Sequence, residues 1–132
     1  MNEYSIYNAV MLMIKNSPPE EIGNLTVSGI ARKLKINRTC LARSFRKYTY
    51  FSPKKYLDIY TLVKFNSVAY DLKNPTVKEI LERMNIKNTS QFIKRYKKQR
   101  GITPGQYCKE SRKRKREIEK EYKRFWSTKI DL

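Results

Sequence analysis

One sequence pattern occurs twice in this chain, about fifty residues apart. The first copy begins TVSGIARKLKIN at Thr26, and the second begins TVKEILERMNIKN at Thr76. After one inserted residue the match continues to SPKKY at Ser52 and TPGQY at Thr103, with apolar, basic and helix-capping positions aligned. A repeat of this length is typical of a duplicated supersecondary unit, so the identity of the unit constrains the whole fold.

The first copy is interpreted as two short helices separated by a tight turn. Thr26 is suited to cap a helix with one apolar stripe, and Lys35-Ile36-Asn37 interrupts that helix. The spacing predicts a second helix over Arg38–Tyr48 with a polar and basic front. Its predicted apolar back is Leu41, Phe45 and Tyr48.

The second copy repeats this plan. Asn85-Ile86-Lys87 is the predicted turn, and a helix is expected from Asn88 or Thr89 to Arg100, with Phe92 and Tyr96 in the core. Gly101 is suited to end that helix in a left-handed conformation. A short helix, a turn and a second helix with a basic front are typical of a helix-turn-helix, whose second helix fits the major groove of DNA.

A cap followed by proline comes after each copy, at Ser52-Pro53 and Thr103-Pro104. Such helix starts can hold a phosphate, although plain helix initiation explains them equally well. Residues 53–73 have helical apolar spacing at Tyr56, Leu57, Tyr60, Val63 and Val68. Twenty helical residues span about 30 Å, close to the roughly 34 Å between successive major-groove faces. The segment is therefore expected to hold two tandem units over an asymmetric site.

The charge balance points to a polyanionic partner. Lys and Arg number 30 against 12 Asp and Glu, a net charge of +18, while residues 1–24 alone are net negative. Nucleic acid is the common partner for such a surface. The chain has no histidine, which removes the commonest general base and counts against an enzyme. Cys40 and Cys108 form no CxxC pair, so neither a zinc site nor a structural disulfide is expected, and no stretch has the length of a membrane span.

These motifs together resemble the DNA-binding domain of AraC/XylS transcriptional regulators. The resemblance covers about residues 5–108 and rests on IARKLKINRTCLARSFRKY, SPKKYL and, most specifically, GITPGQY. It implies a homeodomain-like, all-α fold of about seven helices, in which a long linker helix joins two helix-turn-helix subdomains. The expected divisions are 1–52 with an N-terminal helix at Tyr4–Lys15, 53–73 for the linker helix, 74–108 for the second subdomain and 109–132 for a basic helical tail.

The resemblance also implies where DNA is contacted. It places base contacts on the outer faces of the two recognition helices, at Arg38, Thr39, Ala42, Arg43, Thr89, Ser90, Gln91 and Lys94. Arg43 suits guanine, with a phosphate contact as the alternative, and Gln91 and Lys94 suit adenine and guanine if they are not simply solvated. Positions expected to contact phosphate are Arg46, Lys47, Ser52, Lys97, Lys98 and Thr103.

Three features depart from the family pattern. Asn85-Ile86 replaces Gly-Phe in the second turn, where Asn tolerates the left-handed conformation. Thr61 and Phe65 replace the usual Arg and small Ala in the linker, so altered packing is expected there. The sequence has no ligand-sensing domain, which predicts a single-domain member or a detached output module.

The tail, Lys109–Arg124, carries nine basic and four acidic residues. Apolar residues at Ile118, Tyr122, Phe125 and Trp126 predict that the last helix continues well past Tyr107. Three interpretations stay open: a solvated helix with its apolar edge against the body, a phosphate clamp, or an aromatic patch for polymerase or a second copy. A membrane anchor is a weaker option, because the stripe is only two turns long.

The sequence therefore predicts a non-enzymatic, sequence-specific regulator that binds double-stranded DNA and needs no cofactor or metal. It is expected to act in the cytoplasm at the nucleoid, as a monomer on an asymmetric promoter site, with a tail-mediated dimer as an alternative. The resemblance adds RNA polymerase as a partner. The rival hypothesis is a basic nucleoid- or RNA-associated structural protein, which would lack a specificity ratio of roughly 10³ over random duplex.

Overall fold

The computed structural model of the protein describes residues 2–130, with side chains as far as residue 127. Within these residues the chain forms eight α-helices and no β-strand. In order they are α1 (Glu3–Asn16), α2 (Pro19–Ile22), α3 (Val27–Lys33), α4 (Arg38–Tyr48), α5 (Pro53–Asp71), α6 (Val77–Arg83), α7 (Thr89–Arg100) and α8 (Pro104–Ile130). The all-α prediction is confirmed. The count exceeds the expected seven or so because the four-residue α2 is too short to leave an apolar periodicity.

Helices α3 and α4 form the first helix-turn-helix, and α6 and α7 form the second. Each first helix begins at the predicted threonine cap: Thr26 accepts from the backbone N–H of Gly29 at 3.0 Å, and Thr76 forms a reciprocal capping box with Glu79. Both turns pass through the left-handed region at equivalent positions, Lys35 (φ 58°) and Asn85 (φ 59°). The expectation that Asn85 preserves the turn is thus confirmed.

The apolar back of α4 is only partly as predicted. Leu41 and Phe45 are fully buried, but Tyr48 is 39% exposed. Tyr48 lies at the edge of the first unit, where its ring stacks on Tyr7 of α1 at 5.4 Å between centroids. The apolar spacing within α4 does not reveal that α1 packs beside it. The prediction therefore placed Tyr48 with the buried residues of α4, and the structure shows it to be less buried than they are.

The linker helix α5 packs against both helix-turn-helix units. Its Tyr56 ring lies 5.5 Å from Phe45 in the first unit. Farther along, Phe65 lies 5.2 Å from Phe92 in the second unit, so the large side chain at this position fills the core. Val63, one of the apolar positions whose spacing predicted this helix, is exposed, and the buried side of α5 instead includes Leu62, Phe65 and Ala69.

A tyrosine of α7 fixes the second unit to α5. The hydroxyl of Tyr96 donates to the Asn66 side-chain oxygen at 2.6 Å. Burial raises the pKa of Tyr96 to about 12, so the hydroxyl keeps its proton and remains a donor over the physiological range.

A second joint connects α2 directly to the turn of the second unit. The backbone N–H of Gly23 donates to the Met84 carbonyl at 3.2 Å, and the Asn85 side-chain amide donates to the Glu20 carbonyl at 2.5 Å. The Arg83 guanidinium adds an ion pair to the Glu20 carboxylate at 3.7 Å. These contacts join segments more than sixty residues apart, so the two units are held together at two places.

The last helix confirms the predicted continuation past Tyr107. Thr103 and Gln106 cap its start reciprocally, and Cys108 and Ser111 are buried against the body. Every residue from 116 to 127 is exposed. The interpretation that the apolar edge of the tail lies against the body is therefore wrong. In residues 2–130 no helix combines the length and apolar character needed to cross a membrane.

The close approach at Gly23 gives a stability prediction. A Cβ on Gly23 would lie 2.3 Å from the Met84 carbonyl oxygen, which is backbone and cannot move aside locally. We expect Gly23→Ala to lower the free energy of unfolding by about 1–3 kcal/mol, measured by urea denaturation. Gly105→Ala is the matched control, because its Cβ would meet nothing closer than 3.9 Å. Equal stability of the two variants would contradict the proposed joint.

Candidate nucleic-acid interface

The outer side of α4 gathers most of the residues predicted to contact DNA near the first unit. Arg38, Thr39 and Arg43 are exposed and Ala42 is partly exposed. They line one concave surface, here called the α4 surface, together with the start of α5. Its lining residues are Val27, Arg38, Thr39, Ala42, Arg43, Arg46, Ser52, Pro53 and Lys54. The base-contact candidates are thus side by side with two of the phosphate-contact candidates, Arg46 and Ser52.

Arg43 lies at the crest of α4. It lines the α4 surface on one side and, on the other, a groove between α4 and α1 that includes Lys47 and Tyr48. Its side chain is therefore exposed between two concave surfaces.

Lys47 is the predicted phosphate-contact residue that the structure separates from the α4 surface. Its ammonium forms an ion pair with the Glu3 carboxylate at 3.1 Å. The hydrogen bond to Glu3, with the accompanying charge attraction, raises the pKa of Lys47 above its ordinary value. The charge of Lys47 is therefore partly balanced from within the protein.

The outer side of α7 presents the second predicted set. Thr89, Ser90, Gln91 and Lys94 are all exposed, and this group is called the α7 surface. Gln91 also lines a cleft between α7 and α5, opposite Lys54 and Asp58. Lys97 and Lys98 are exposed farther along α7, with Lys98 beside a groove that contains Lys55 of α5.

Lys54 is a basic residue that the sequence predictions missed. It lines both the α4 surface and the cleft beside Gln91, so it lies between the two surfaces. Its position at the second residue of α5, just after Ser52-Pro53, was the available signal. The basic residues that the sequence predicted to contact DNA all lie on the recognition helices, whereas Lys54 lies on the linker helix.

Asp58 holds α5 and α7 in register. Its carboxylate lies 3.3 Å from the Lys54 ammonium and 3.4 Å from the Arg95 guanidinium. Asp58 is the more buried partner in both pairs, and it links the linker helix to the second recognition helix across 37 residues of sequence. Only the pairing of Asp58 with Lys54, four residues apart, could have been found from the sequence.

The two cap-proline starts differ in what they offer an anion. At both, the cap hydroxyl accepts from a backbone N–H at 3.1 Å and its own proton remains to be donated. The neighbours of Ser52 are Lys54 and Lys55, whereas at Thr103 the Gln106 side chain accepts the cap N–H at 2.8 Å. The start of α5 is therefore the better anion site.

Two helix-turn-helix units, each with an exposed polar and basic second helix, define the DNA-binding part of a transcriptional regulator. The family model described as a helix-turn-helix domain matches residues 30–110. The chain belongs to this family, the AraC-type helix-turn-helix domains of DNA-binding transcriptional regulators.

Individual relatives agree with this assignment. The chain is 36% identical over 90 residues to the HTH-type transcriptional regulator YtdP of Bacillus subtilis, and 33% identical over 89 residues to the Msm operon regulatory protein of Streptococcus mutans. These matches cover 67% and 66% of this chain but only 11% and 31% of the relatives.

A solved structure supports the fold. The crystal structure of a DNA-binding transcriptional dual regulator from Escherichia coli K-12 superimposes with a TM-score of 0.65. The match covers 80% of this chain and 91% of the other, at 19% sequence identity.

The shared carboxylate of Asp58 yields a prediction about DNA binding. Asp58→Asn leaves Lys54 and Arg95 without their counter-ion, so we expect affinity for random duplex to rise roughly two- to fivefold in anisotropy titrations. Stability should change by less than about 1 kcal/mol, since partly exposed ion pairs contribute little. Asp71→Asn makes the same charge change at the other end of α5. If both variants bind random duplex equally, Lys54 and Arg95 do not face the DNA.

Proposed function

We propose that this chain reads an asymmetric double-stranded DNA site, with α4 and α7 entering two successive major grooves. The observation that carries the proposal is the pair of exposed recognition helices held by one shared helix, α5. Equivalent outer positions of the repeat differ: Thr39 corresponds to Ser90, Cys40 to Gln91 and Ala42 to Ile93. Two units with different outer residues recognise different boxes, so one chain suffices for a two-box site.

Base contacts in this proposal come from the α4 and α7 surfaces. Arg43, on the crest of α4, pairs with a guanine through its two-pronged guanidinium, and Gln91 and Lys94 act from α7. Ala42 is too short to hydrogen-bond and contacts a thymine methyl group at most. The full set of base-contact residues is Arg38, Thr39, Ala42, Arg43, Thr89, Ser90, Gln91 and Lys94.

Phosphate contacts flank these surfaces and set the register of the protein on the duplex. Ser52 at the start of α5 is the strongest candidate, because Lys54 and Lys55 add charge beside its free hydroxyl proton. Lys47 contributes only by exchanging Glu3 for a phosphate. The full set is Arg46, Lys47, Ser52, Lys97, Lys98 and Thr103, to which we add Lys54.

The bound chain is inferred to act as a regulator without catalysing a reaction, by positioning bacterial-type RNA polymerase beside its site. Its named relatives are bacterial transcriptional regulators, and the sequence offers no histidine as a general base. Work on chromosomal DNA would take place at the nucleoid, in the cytoplasm. A basic structural protein without promoter preference is the less favoured alternative, since the relatives are named regulators.

Two substitutions separate base reading from backbone contact. Arg43→Ala should cost about 1–3 kcal/mol on the preferred site and relax the preference at one base pair. Lys97→Ala should instead weaken all sequences alike and reduce the dependence of log affinity on log salt by about 1. Titrations of single-base variants at several salt concentrations give both quantities. An unchanged base preference in Arg43→Ala would remove Arg43 from the base-reading set.

Selection from a random duplex library tests the proposed function directly. We expect an asymmetric motif of two different boxes whose centres lie about 10 base pairs apart, bound roughly 10³-fold or more above random duplex at physiological salt. A library that yields no enriched motif would favour the structural-protein alternative. A palindromic motif would show that two chains, rather than two units of one chain, read the site.

A further inference from the structure

The second half of α8, the longest helix in the described part of the chain, extends beyond the body of the molecule. Lys115 contacts the body of the molecule: its ammonium donates to the Leu72 carbonyl at 3.4 Å and lies 4.5 Å from the centre of the Tyr70 ring. Residues 116–127, here called the α8 extension, are all exposed. A helix that continues for three turns without covering its own apolar residues needs a partner or a reason to be exposed.

The α8 extension carries one contiguous aromatic patch. Ile118, Tyr122, Phe125 and Trp126 follow at helical spacing and are 58%, 62%, 53% and 44% exposed. The rings pack edge-to-face on one another, Tyr122 on Trp126 at 5.9 Å and Phe125 on Trp126 at 5.8 Å. The patch presents on the order of 400 Å² of mainly apolar surface, comparable to the largest apolar patch of a typical monomeric protein, which is often functional.

The patch lies far from the proposed DNA contacts. Lys115 reaches Leu72, at the end of α5 opposite to Ser52, and the 19 residues of α5 span about 28 Å. Along α8 itself, Lys115 is about 18 Å from Thr103, and each later residue is farther away.

The charge of the extension also argues against DNA as its partner. Residues 109–116 hold six basic residues and one acidic residue, as expected near a polyanion. Beyond them the balance changes: residues 117–127 hold three acidic residues, Glu117, Glu119 and Glu121, and three basic ones, Lys120, Lys123 and Arg124. An apolar stripe flanked by balanced charge is typical of a helix that pairs with a copy of itself.

We propose that the aromatic patch binds the same patch on a second copy of this chain, so that two copies on neighbouring sites of one DNA bind cooperatively. The DNA half of this statement rests on the proposed function above. In a parallel pair with Tyr122 and Phe125 at the seam, Arg114 of one copy lies opposite Glu119 of the other. Because the pair of copies is symmetric, the same contact forms twice, and two opposite-charge pairs flank the patch.

The size of the patch sets the strength of the pairing. Each copy contributes on the order of 400 Å², about half of what a stable interface buries per partner. Pairing is therefore weak between free chains and becomes effective when neighbouring sites hold two copies close together. The chain is thus a monomer at low concentration and a cooperative pair on DNA with two sites.

The free protein gives a test that does not depend on any DNA motif. Sedimentation velocity over a concentration series should show reversible dimerisation in the high micromolar range. The variant Ile118→Gln/Tyr122→Gln, which keeps the charge and does not lower the helix propensity, should stay monomeric, with no loss of helicity by circular dichroism. The control Lys120→Gln/Lys123→Gln alters the outer side of the extension and should dimerise like the natural chain. A natural chain that stays monomeric throughout would overturn the proposal.

Cooperative DNA binding gives the second test of the pairing. On a duplex with two selected sites at a series of separations, we expect cooperativity on the order of 10-fold at favourable phases, lost in Ile118→Gln/Tyr122→Gln, while affinity for one site is kept. Reduced single-site affinity in Lys120→Gln/Lys123→Gln would identify a phosphate clamp and overturn the proposal, as would independent binding at every separation. If no motif can be selected, the proposed function fails while the sedimentation result still decides the pairing.

Discussion

The packing of α5 between the two helix-turn-helix units is the interaction on which the rest of the structure depends. Each unit is too short to bury a sufficient core by itself. Tyr56 of α5 meets Phe45 in the first unit, and Phe65 meets Phe92 in the second, so one helix completes both cores. A single hydrophobic cluster then runs through the molecule, and the two recognition helices cannot move independently without exposing it.

Polar contacts fix the position of α7 along α5. Apolar packing alone permits sliding, whereas the Tyr96–Asn66 hydrogen bond and the Asp58–Arg95 ion pair fix how α7 lies on α5. The joint between Gly23 and the Met84 carbonyl adds a contact between α2 and the second unit, and it requires a glycine for steric reasons, not for its backbone angles. The separation of α4 from α7 is therefore a property of the folded domain, and we infer that it is matched to one turn of DNA.

Much of the fold could be predicted because its signals are local. The caps Thr26 and Thr76, the turn residue Asn85 and the stop at Gly101 each act within four residues of themselves, and the end of α7 at Arg100 followed from Gly101. The exposure of the α4 and α7 surfaces could likewise be read from the spacing of Leu41, Phe45, Phe92 and Tyr96. Whether those exposed residues contact bases stays a prediction.

The errors came from contacts between distant segments. Val63 and Tyr48 were grouped with the apolar positions from the periodicity of one helix, but the buried side of α5 runs through Leu62 and Phe65, and Tyr48 packs on Tyr7 of α1 at the edge of the core. The short helix α2 and its joint at Gly23 left no local pattern, because their partner is the turn of the other repeat. Phe65, which seemed a misfit from family comparison, occupies the centre of the shared core.

The most direct measurement of the central claim is binding to a selected two-box site in which the distance between the boxes is changed. Inserting about five base pairs turns the second box to the opposite side of the duplex. If α5 holds the recognition helices as one rigid unit, affinity for the site with the half-turn insertion should fall by on the order of 100-fold, to that of a single-box site. An insertion of a full turn of DNA should restore part of the affinity only if the protein bends the duplex. Affinity that stays within a fewfold of the original at half-turn insertion would contradict the account, because it would mean that the two units read their boxes independently.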